Sequence, residues 1–404
     1  MEIKHLKSLF APILNEDLYV DAKISRLTNA GDNYGSLILA VDIKTRNRQK
    51  EYIHAVAKML PFNEIIQKMF NSSYTFRNEI AFYEIVAPCL RDFQKFHGLT
   101  NFINCFPSFY AARMNLDPIS GKIDEDTVLL IENLKYEGYT TINRTVGFDL
   151  DQSKLILDKL AEMHGTSMAL KLQEPEIFDR KLRPFLEEFE VFKYDDEAND
   201  NMVQSIVNII KDDEICGHHL TKITQILHNN TKNTSKKNCN KVHKSPFLGI
   251  VHGDMWINNI MVKIVHNKTI DIKFVDYQLY EYTCLAREIV FFLFTSVQTS
   301  VLQSHCDTLL THYYNNLMYW LQRLKCSLAL SFDTFMNDLK NMLQQAEFFN
   351  VMIMLAPIYA TEGDTKEIEE ISMDNLTHHK NEVTEAHKEK ACFIVREFLR
   401  RDWI

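Results

Sequence analysis

The chain has 404 residues, of which 46% are hydrophobic and 25% charged, with a formal net charge of −9 and a pI of about 5.9. This length is too great for one typical core and indicates two domains or lobes, and the composition is that of an ordinary globular protein. The acidic balance argues against a nucleic acid or an anionic membrane as the partner, because both favour a basic surface.

The eight cysteines are scattered along the chain without a C-x-x-C pair, so their spacing indicates neither a zinc site nor a framework of disulfides. Residues Met1–Val20 lack the sustained apolar core and the small-residue cleavage site of a signal peptide. The longest apolar runs, near Ile289–Phe294 and Val351–Ala360, are too short to cross a bilayer. We therefore expect a cytoplasmic protein with reduced cysteines and no membrane partner.

In the N-terminal part, two strand-like runs, Leu37–Ile43 and Tyr52–Leu60, flank the polar segment Thr45–Lys50 and predict a β-hairpin. Lys58 is a lone charge in the second run, and two interpretations fit it. It is either an edge-strand lysine that faces water or a lysine that binds the phosphates of a nucleotide.

A helix is predicted next, because aromatic and apolar side chains recur at helical spacing over Phe76–Ala87, and Pro88 is expected to end it. A phosphate-binding lysine needs a buried carboxylate that holds it extended. Glu79 on this helix is the best candidate for that carboxylate, about twenty residues after Lys58.

Two further strands, Pro107–Met114 and Thr127–Glu132, complete a β-rich lobe over residues 1–135. The chain would cross between lobes at Glu132-Asn133-Leu134, where backbone groups could hydrogen-bond the edge of an adenine. Residues 136–404 read as a mainly helical lobe that contains one small hairpin. The resulting α+β architecture has two lobes, and the cleft between them is the expected ligand site.

The hairpin of the second lobe is predicted from two apolar runs, Ile260–Val265 and Ile270–Val275, with His266–Thr269 as the turn. If the runs pair antiparallel, Asn259 and Asp276 arrive side by side at the open end of the hairpin.

Asp254 lies just upstream of this hairpin, within His252-Gly253-Asp254, and its distance of five residues from Asn259 fits a catalytic loop. The oxygen ligands of Asn259 and Asp276 suit Mg²⁺, which usually shares its coordination with substrate phosphates. Asp254 can then orient an attacking hydroxyl group. Together these side chains are the parts needed for phosphoryl transfer.

Two glycines in Gly31-Asp32-Asn33-Tyr34-Gly35-Ser36 precede the first predicted strand. In a hairpin tip they can turn backbone N–H groups toward an anion. The segment matches neither G-x-G-x-x-G nor the P-loop pattern, so by itself it is also compatible with an ordinary turn.

The set of motifs resembles the ecdysteroid kinase-like group, also called CHK kinase-like, which is related to choline and aminoglycoside kinases. The resemblance is carried by His-Gly-Asp-x-Trp-x-x-Asn from His252 to Asn259, followed by Asp276-Tyr277-Gln278. Phe76-x-x-Glu79-x-x-x-Tyr83 resembles the helix of the N-terminal lobe in the same group, and Leu160-Ala161-Glu162-Met163-His164 resembles a helix motif of the other lobe. These elements occur in the family's order over roughly residues 25–300.

This resemblance implies a protein kinase-like two-lobe fold, with ATP and Mg²⁺ as cofactors. It also implies a role for each matching residue. Asp254 would be the catalytic base, Asn259 and Asp276 would bind Mg²⁺, and Lys58 would hold the α- and β-phosphates while paired with Glu79. The implied nucleotide-binding residues are Gly31, Asn33, Tyr34, Ser36, Lys58, Glu79, Glu132 and Leu134. One departure is Arg287-Glu288, which occupies a place where the family usually shows an aspartate.

The acceptor is expected to be a small molecule, since only about ten residues separate Asp276 from Arg287-Glu288 and no Ala-Pro-Glu follows. A protein kinase needs a longer activation segment to bind a peptide. The resemblance implies an ecdysteroid or another lipophilic alcohol, including a steroid. The acceptor pocket would draw on aromatic side chains of the C-terminal helices, most of which are expected to be core: Phe291, Phe292, Phe294, Tyr313, Tyr314, Tyr319 and Trp320.

Two other functions fit the same residues. One is a choline- or aminoglycoside-type kinase, which would need an acidic pocket lined with aromatic side chains for a cationic substrate. The other is a binding protein that keeps the kinase fold without turnover. The presence of Lys58, Asp254, Asn259 and Asp276 argues against that last possibility, whereas Glu288 in place of an aspartate keeps it open.

Overall fold

The computed structural model describes residues 2–27, 36–47, 51–117, 119–186, 195–234, 245–328, 330–360 and 383–404. A five-stranded antiparallel sheet forms the N-terminal lobe, in the order β1-β2-β3-β5-β4. Its strands are β1 (Tyr19–Arg26), β2 (Leu37–Thr45), β3 (Tyr52–Met59), β4 (Phe109–Arg113) and β5 (Val128–Glu132). The predicted hairpin is confirmed by the antiparallel pairing of β2 with β3. Because β3 also pairs with β5, it is an inner strand. The interpretation of Lys58 as an edge-strand lysine is therefore wrong.

The two faces of this sheet pack against different parts of the protein. Ala55 and Ala57 of β3 belong to a hydrophobic cluster that includes Leu6 of the short helix α1 (Leu6–Leu9). Side chains alternate across a strand, so Lys58 points to the opposite face. That face is turned toward the predicted helix and the C-terminal lobe, where the partners of Lys58 lie.

The predicted helix is longer than expected, and Pro88 does not end it. After α2 (Glu64–Met69), the chain forms α3 (Ser72–Ala81), a π-helical turn (Phe82–Val86) and α4 (Ala87–Phe96) without a break. Pro88 lies in the first turn of α4. The π turn directly before it rearranges the backbone hydrogen bonds, so the helix continues although proline cannot donate one.

The C-terminal lobe contains two small sheets. In the first, β6 (Tyr139–Thr140) pairs with β8 (Ile260–Val265), which pairs with β9 (Lys268–Phe274). In the second, β7 (Leu248–Val251) pairs with β10 (Glu281–Cys284).

The β8–β9 hairpin is confirmed, but its turn is shorter than predicted. Val265 pairs with Lys268, which leaves only His266 and Asn267 in the turn, with φ values of 49° and 61°. Two successive residues in the left-handed region form the kind of two-residue turn that matches the twist of paired strands.

The remainder of the lobe is helical, as predicted for the described residues. Its helices are α5 (Leu150–Gln173), α6 (Pro175–Ile177), α7 (Asp196–Ile210), α8 (Glu214–His218), α9 (Leu220–Thr234), α10 (Leu285–Ser296), α11 (Thr299–Arg323), α12 (Phe332–Met342), α13 (Phe348–Tyr359) and α14 (Glu385–Arg400). A capping box of Asp149 and Gln152 starts α5. Of the helices in the described ranges, none combines the length and apolar character that spanning a bilayer requires.

Several aromatic residues expected near the acceptor pocket belong to the core of this lobe. Phe292, Phe294 and Tyr313 are completely buried among other hydrophobic side chains, so they are core residues. Tyr319, in contrast, is 48% exposed.

Candidate functional site

Lys58 connects the two lobes through two carboxylates. Its Nζ donates to Oε2 of Glu79 on α3 and to Oδ1 of Asp276 after β9, each at 2.6 Å. Only 4% of Lys58 and 1% of Glu79 is exposed, so these contacts are shielded from water. Burial alone would lower the pKa of Lys58, but the charges of Asp276 and Glu79 outweigh it and raise the pKa above its usual value. Lys58 therefore stays cationic and is held extended on the cleft face of the sheet.

Asp254 and Asn259 are joined by direct hydrogen bonds in the loop before β8. The chain makes a single 3₁₀ turn at Ile257–Asn259, which folds Asn259 back over the loop. Its Nδ2 donates to the backbone oxygen of Asp254 and to Oδ2 of its carboxylate, both at 2.9 Å. The Asn259 amide nitrogen is thereby fixed, and its Oδ1 is the atom that can serve as a metal ligand.

The Asp254 carboxylate is a stronger base than an ordinary aspartate. Burial, followed by the negative charge of Asp276, raises its pKa to about 7, although hydrogen bonds from Asn259 and Trp256 act in the opposite direction. A carboxylate with a pKa near neutrality is suited to accept a proton at the pH of a cell.

Asp276 follows β9 directly and has an unusual backbone conformation, with φ 69° and ψ 59°. The preceding residue, Val275, donates its backbone N–H to the backbone oxygen of Asn259 at 2.9 Å. The hairpin register therefore pairs Asn259 with Val275, so Asn259 and Asp276 both lie at its open end but one residue away from the predicted pairing. Left-handed conformations are tolerated by aspartate better than by most residues, and here the conformation leaves the Asp276 side chain in contact with Lys58.

His252 fastens the start of the loop to the end of β9. Its ring is fully buried, Nε2 donates to the backbone oxygen of Val275 at 2.9 Å, and Nδ1 accepts from the backbone N–H of Asp254 at 3.3 Å. Burial lowers the pKa of His252, which is consistent with the neutral ring that this pairing requires. The histidine thus sets the backbone position of the proposed base.

Gly253 is required at its position. Its φ is +83°, and a Cβ atom added there would lie 2.1 Å from the backbone oxygen of Leu279. No side chain fits so close to a backbone atom, which explains the glycine between His252 and Asp254.

Glu288 supports the same loop from α10. Its Oε1 accepts the backbone N–H of Gly253 at 3.0 Å, and its Oε2 contacts Nε2 of His164 on α5 at 2.8 Å. Because a carboxylate only accepts, Nε2 of His164 carries the proton, and Nδ1 accepts from the hydroxyl of Tyr313 at 2.8 Å. His164 is therefore a satisfied core histidine, as expected. Glu288 still accepts the backbone N–H of Gly253, so a glutamate in place of the family's usual aspartate keeps the contact between α10 and the loop.

Replacing Glu288 by alanine is expected to leave the Gly253 N–H and His164 buried without an acceptor, and to lower the free energy of unfolding by about 3 kcal/mol. Glu288→Gln keeps the volume and one acceptor, so it should lose less stability and less kcat. Urea unfolding and steady-state kinetics of both variants measure these effects. Equal stability of the alanine variant and the unmodified chain would contradict the anchoring role.

The expected nucleotide-binding residues are only partly within the described structure. Gly31, Asn33 and Tyr34 lie outside the described residues. Ser36 is buried and directly precedes β2. Glu132 ends β5, where its Oε2 accepts the backbone N–H of Ser108 at 3.0 Å.

The segment between the lobes continues from Glu132 to Leu134. The backbone N–H of Asn133 donates to the oxygen of His54 on β3 at 3.0 Å, which keeps the segment against the sheet. Leu134 is buried in a small cluster with Met261 of β8. The segment thus contacts β3 of the N-terminal lobe and β8 of the C-terminal lobe.

Trp256 was not among the predicted site residues, and Tyr313 was expected only as an aromatic residue of the acceptor pocket or core, not as a partner of His164. Trp256 hydrogen-bonds the Asp254 carboxylate through its side chain. Its place within the His-Gly-Asp-x-Trp-x-x-Asn pattern was a signal that could have identified it. Tyr313 lies far along the chain on α11, and no spacing in the sequence relates it to His164.

A model of the ecdysteroid kinase-like family matches residues 30–326. Among solved structures, the GDP and kanamycin complex of APH(2″)-IIia has 9% sequence identity and a TM-score of 0.43, covering 86% of this chain and 89% of that one. The GDP complex of wild-type aminoglycoside 2′-phosphotransferase-IIIa has 10% identity and a TM-score of 0.43, with 97% and 99% of the two chains covered. No curated protein matches the sequence. The structural likenesses are distant, so the family match carries the assignment.

Proposed function

The chain belongs to the ecdysteroid kinase-like family and is a phosphotransferase whose acceptor is an alcohol group of a small molecule, and we propose its phosphate donor, its metal ion and the class of its acceptor. The donor is ATP, the metal is Mg²⁺, and the acceptor is a hydroxyl group of an ecdysteroid or another lipophilic alcohol. The observation that supports this most strongly is the cluster at the cleft, where Lys58 contacts Glu79 and Asp276 and where Asp254 is bonded to Asn259.

The donor atoms of the cluster fit Mg²⁺. The Oδ1 of Asn259 and the carboxylate of Asp276 are hard oxygen ligands, and both residues lie at the open end of the hairpin. When bound, Mg²⁺ neutralises phosphate charge and orients the γ-phosphoryl group for in-line displacement. Lys58 supplies a further positive charge for the α- and β-phosphates, and its contact with Glu79 would hold it in place while Asp276 holds the metal.

Asp254 acts as the general base. It accepts the proton of the acceptor hydroxyl while that oxygen forms a bond to the γ-phosphorus. The bond between this phosphorus and the bridging oxygen of the β-phosphate breaks, and ADP leaves with the electron pair. Asn259 and Trp256 orient the Asp254 carboxylate by donating hydrogen bonds to it.

The remaining nucleotide contacts are proposed from the sequence motifs. We assign the backbone of Glu132 and Leu134 to the base of the nucleotide, and Gly31, Asn33, Tyr34 and Ser36 to its phosphates. The cysteines of the described ranges are all free, as in proteins of a reducing compartment, and we propose a cytoplasmic location.

Replacing Trp256 by phenylalanine is expected to move the acid limb of the pH–kcat profile to higher pH by about one unit. The indole N–H stabilises the charged form of Asp254, so its loss raises the pKa of the base, and a higher pH is needed to deprotonate it. The profile is measured at saturating ATP and Mg²⁺. An unchanged acid limb together with a normal fold would contradict the contact between Trp256 and the base.

The acceptor class is tested by transfer of labelled γ-phosphate from ATP to a panel of alcohols. The panel contains ecdysteroids, other steroid and phenolic alcohols, choline and an aminoglycoside. We expect phosphorylation of a lipophilic member at the highest kcat/KM. Preference for choline or the aminoglycoside would replace the lipophilic acceptor with a cationic one, and ATP binding without transfer to any alcohol would favour a ligand-binding protein.

A further inference from the structure

Outside the cleft, two buried cysteines and a carboxylate meet between α8 and the C-terminal helix α14. The sulfur atoms of Cys216 and Cys392 and a carboxylate oxygen of Asp213 all lie within 4.8 Å of one another. Both cysteines are buried, with 0% and 4% of their surfaces exposed. No spacing in the sequence predicts this cluster, because 176 residues separate the two cysteines.

We propose that Asp213, Cys216 and Cys392 form a binding site for one zinc-class divalent metal ion. Two thiolates with a third protein ligand and a water molecule make up a common tetrahedral coordination sphere, and thiolates select soft and borderline metals over Mg²⁺. The site is therefore distinct in chemistry from the oxygen ligands at the cleft, and it does not depend on the proposed kinase reaction.

The start of α8 positions two of the three proposed ligands. Asp213 is the N-cap of α8, and its Oδ1 accepts the backbone N–H of Cys216 at 3.0 Å. This contact places the aspartate and the cysteine on the same side of the first turn. The third ligand, Cys392, comes from α14, so a bound ion would join the two helices.

The distances are close to those that a metal needs. A zinc–sulfur bond of about 2.3 Å places two thiolates about 3.8 Å apart in a tetrahedral site. The upper limit of 4.8 Å in the cluster exceeds this by about 1 Å, which small side-chain rotations can close. The Cys216 thiol donates to the backbone oxygen of Cys392 at 3.8 Å, so the two cysteines already meet across the contact between α8 and α14.

The charges of the proposed ligands and of Arg396 can balance the charge of a buried divalent ion. Binding releases one proton from each thiol to the solvent, so two thiolates neutralise the two charges of the ion. The charge of Asp213 is already balanced by Arg396, whose guanidinium donates to Oδ2 at 2.9 Å. No net charge is therefore buried, and Arg396 additionally orients the ligating carboxylate.

The position of α14 indicates a structural role for the ion. Phe398 of α14 packs edge to face on Phe294 of α10 at a ring distance of 4.6 Å. Helix α10 also carries Glu288, which contacts the loop of Asp254. An ion between α8 and α14 would therefore stabilise the position of α14, the helix that packs on α10.

The test is a titration of the full, reduced and chelator-treated chain with Co²⁺ in place of zinc. We expect one equivalent per chain, a thiolate-to-cobalt charge-transfer band and the release of two protons. Cys216→Ser and Cys392→Ser should each weaken binding by at least about tenfold. Cys326→Ser, a change at another buried cysteine, is the matched control and should bind normally.

Three outcomes would overturn the site. The first is the absence of a bound ion in the unmodified chain, a result that does not depend on the folding of any variant. The second is binding that persists in both serine variants. The third is a covalent Cys216–Cys392 disulfide, found by peptide mass spectrometry in chain purified under air, together with no metal binding after reduction. None of these results would affect phosphoryl transfer at the cleft.

Discussion

Replacing Asp254 by asparagine is expected to lower kcat by about 10²- to 10⁴-fold, because the acceptor hydroxyl loses the group that takes its proton. Asparagine has nearly the same shape and can still contact Asn259, so the loop should keep its fold. Affinity for ATP and Mg²⁺ should remain largely unchanged, since Lys58, Asn259 and Asp276 are intact. The measurement is steady-state kinetics with the best alcohol of the panel, combined with nucleotide binding by calorimetry.

Asp151→Asn is the matched control for this variant, because it removes one aspartate charge from the exposed first turn of α5. It should have normal kcat. If Asp254→Asn retained kcat within the range of this control, Asp254 would not be the base. If it lost ATP affinity together with kcat, the loop would have been disturbed, and the kinetic loss could not be assigned to proton transfer.

Replacing Asp276 by alanine is expected to abolish Mg²⁺-dependent transfer, with a loss of at least about 10³-fold in kcat/KM. The variant removes a metal ligand, and a catalytic metal contributes several kcal/mol to the transition state, where each 1.36 kcal/mol corresponds to tenfold in rate. Lys58 keeps its second partner, Glu79, at 2.6 Å, so the sheet and α3 should stay together.

The metal dependence separates this effect from a general loss of structure. Raising the Mg²⁺ concentration should partly restore turnover if Asp276 binds the metal, whereas a misfolded variant would not respond. Thermal unfolding in the absence of nucleotide provides the control for stability. Normal transfer by Asp276→Ala at low Mg²⁺ would contradict the assignment of this residue as a metal ligand.

Local patterns in the sequence predicted much of the fold and of the site. The alternation in β2, β3, β8 and β9 identified both hairpins, because one face of each strand is buried. The hairpin geometry also predicted that Asn259 and Asp276 lie at its open end, although the observed register pairs Asn259 with Val275. The pairing of Lys58 with Glu79 followed from the order of a strand and a helix, although the sequence alone left an exposed lysine as the alternative.

Features that depend on tertiary packing could not be predicted in this way. Pro88 looked like the end of a helix because a proline lacks the N–H group, and only the π turn before it allows the chain to continue. The contacts of Glu288 join residues from α5, α10 and the catalytic loop. No spacing within one segment encodes them, because each partner reaches the others only after the helices have packed.

The decisive measurement is whether the unmodified chain, with ATP and Mg²⁺, forms a phosphorylated alcohol. The product is detected by mass spectrometry, and the label is placed on the γ-phosphate of ATP. We expect labelled phosphate on one class of alcohol, and we expect a chelator of Mg²⁺ to stop this transfer and Asp254→Asn and Asp276→Ala both to lose it. Transfer that continues at an unchanged rate in these two variants would contradict the assignment of the site.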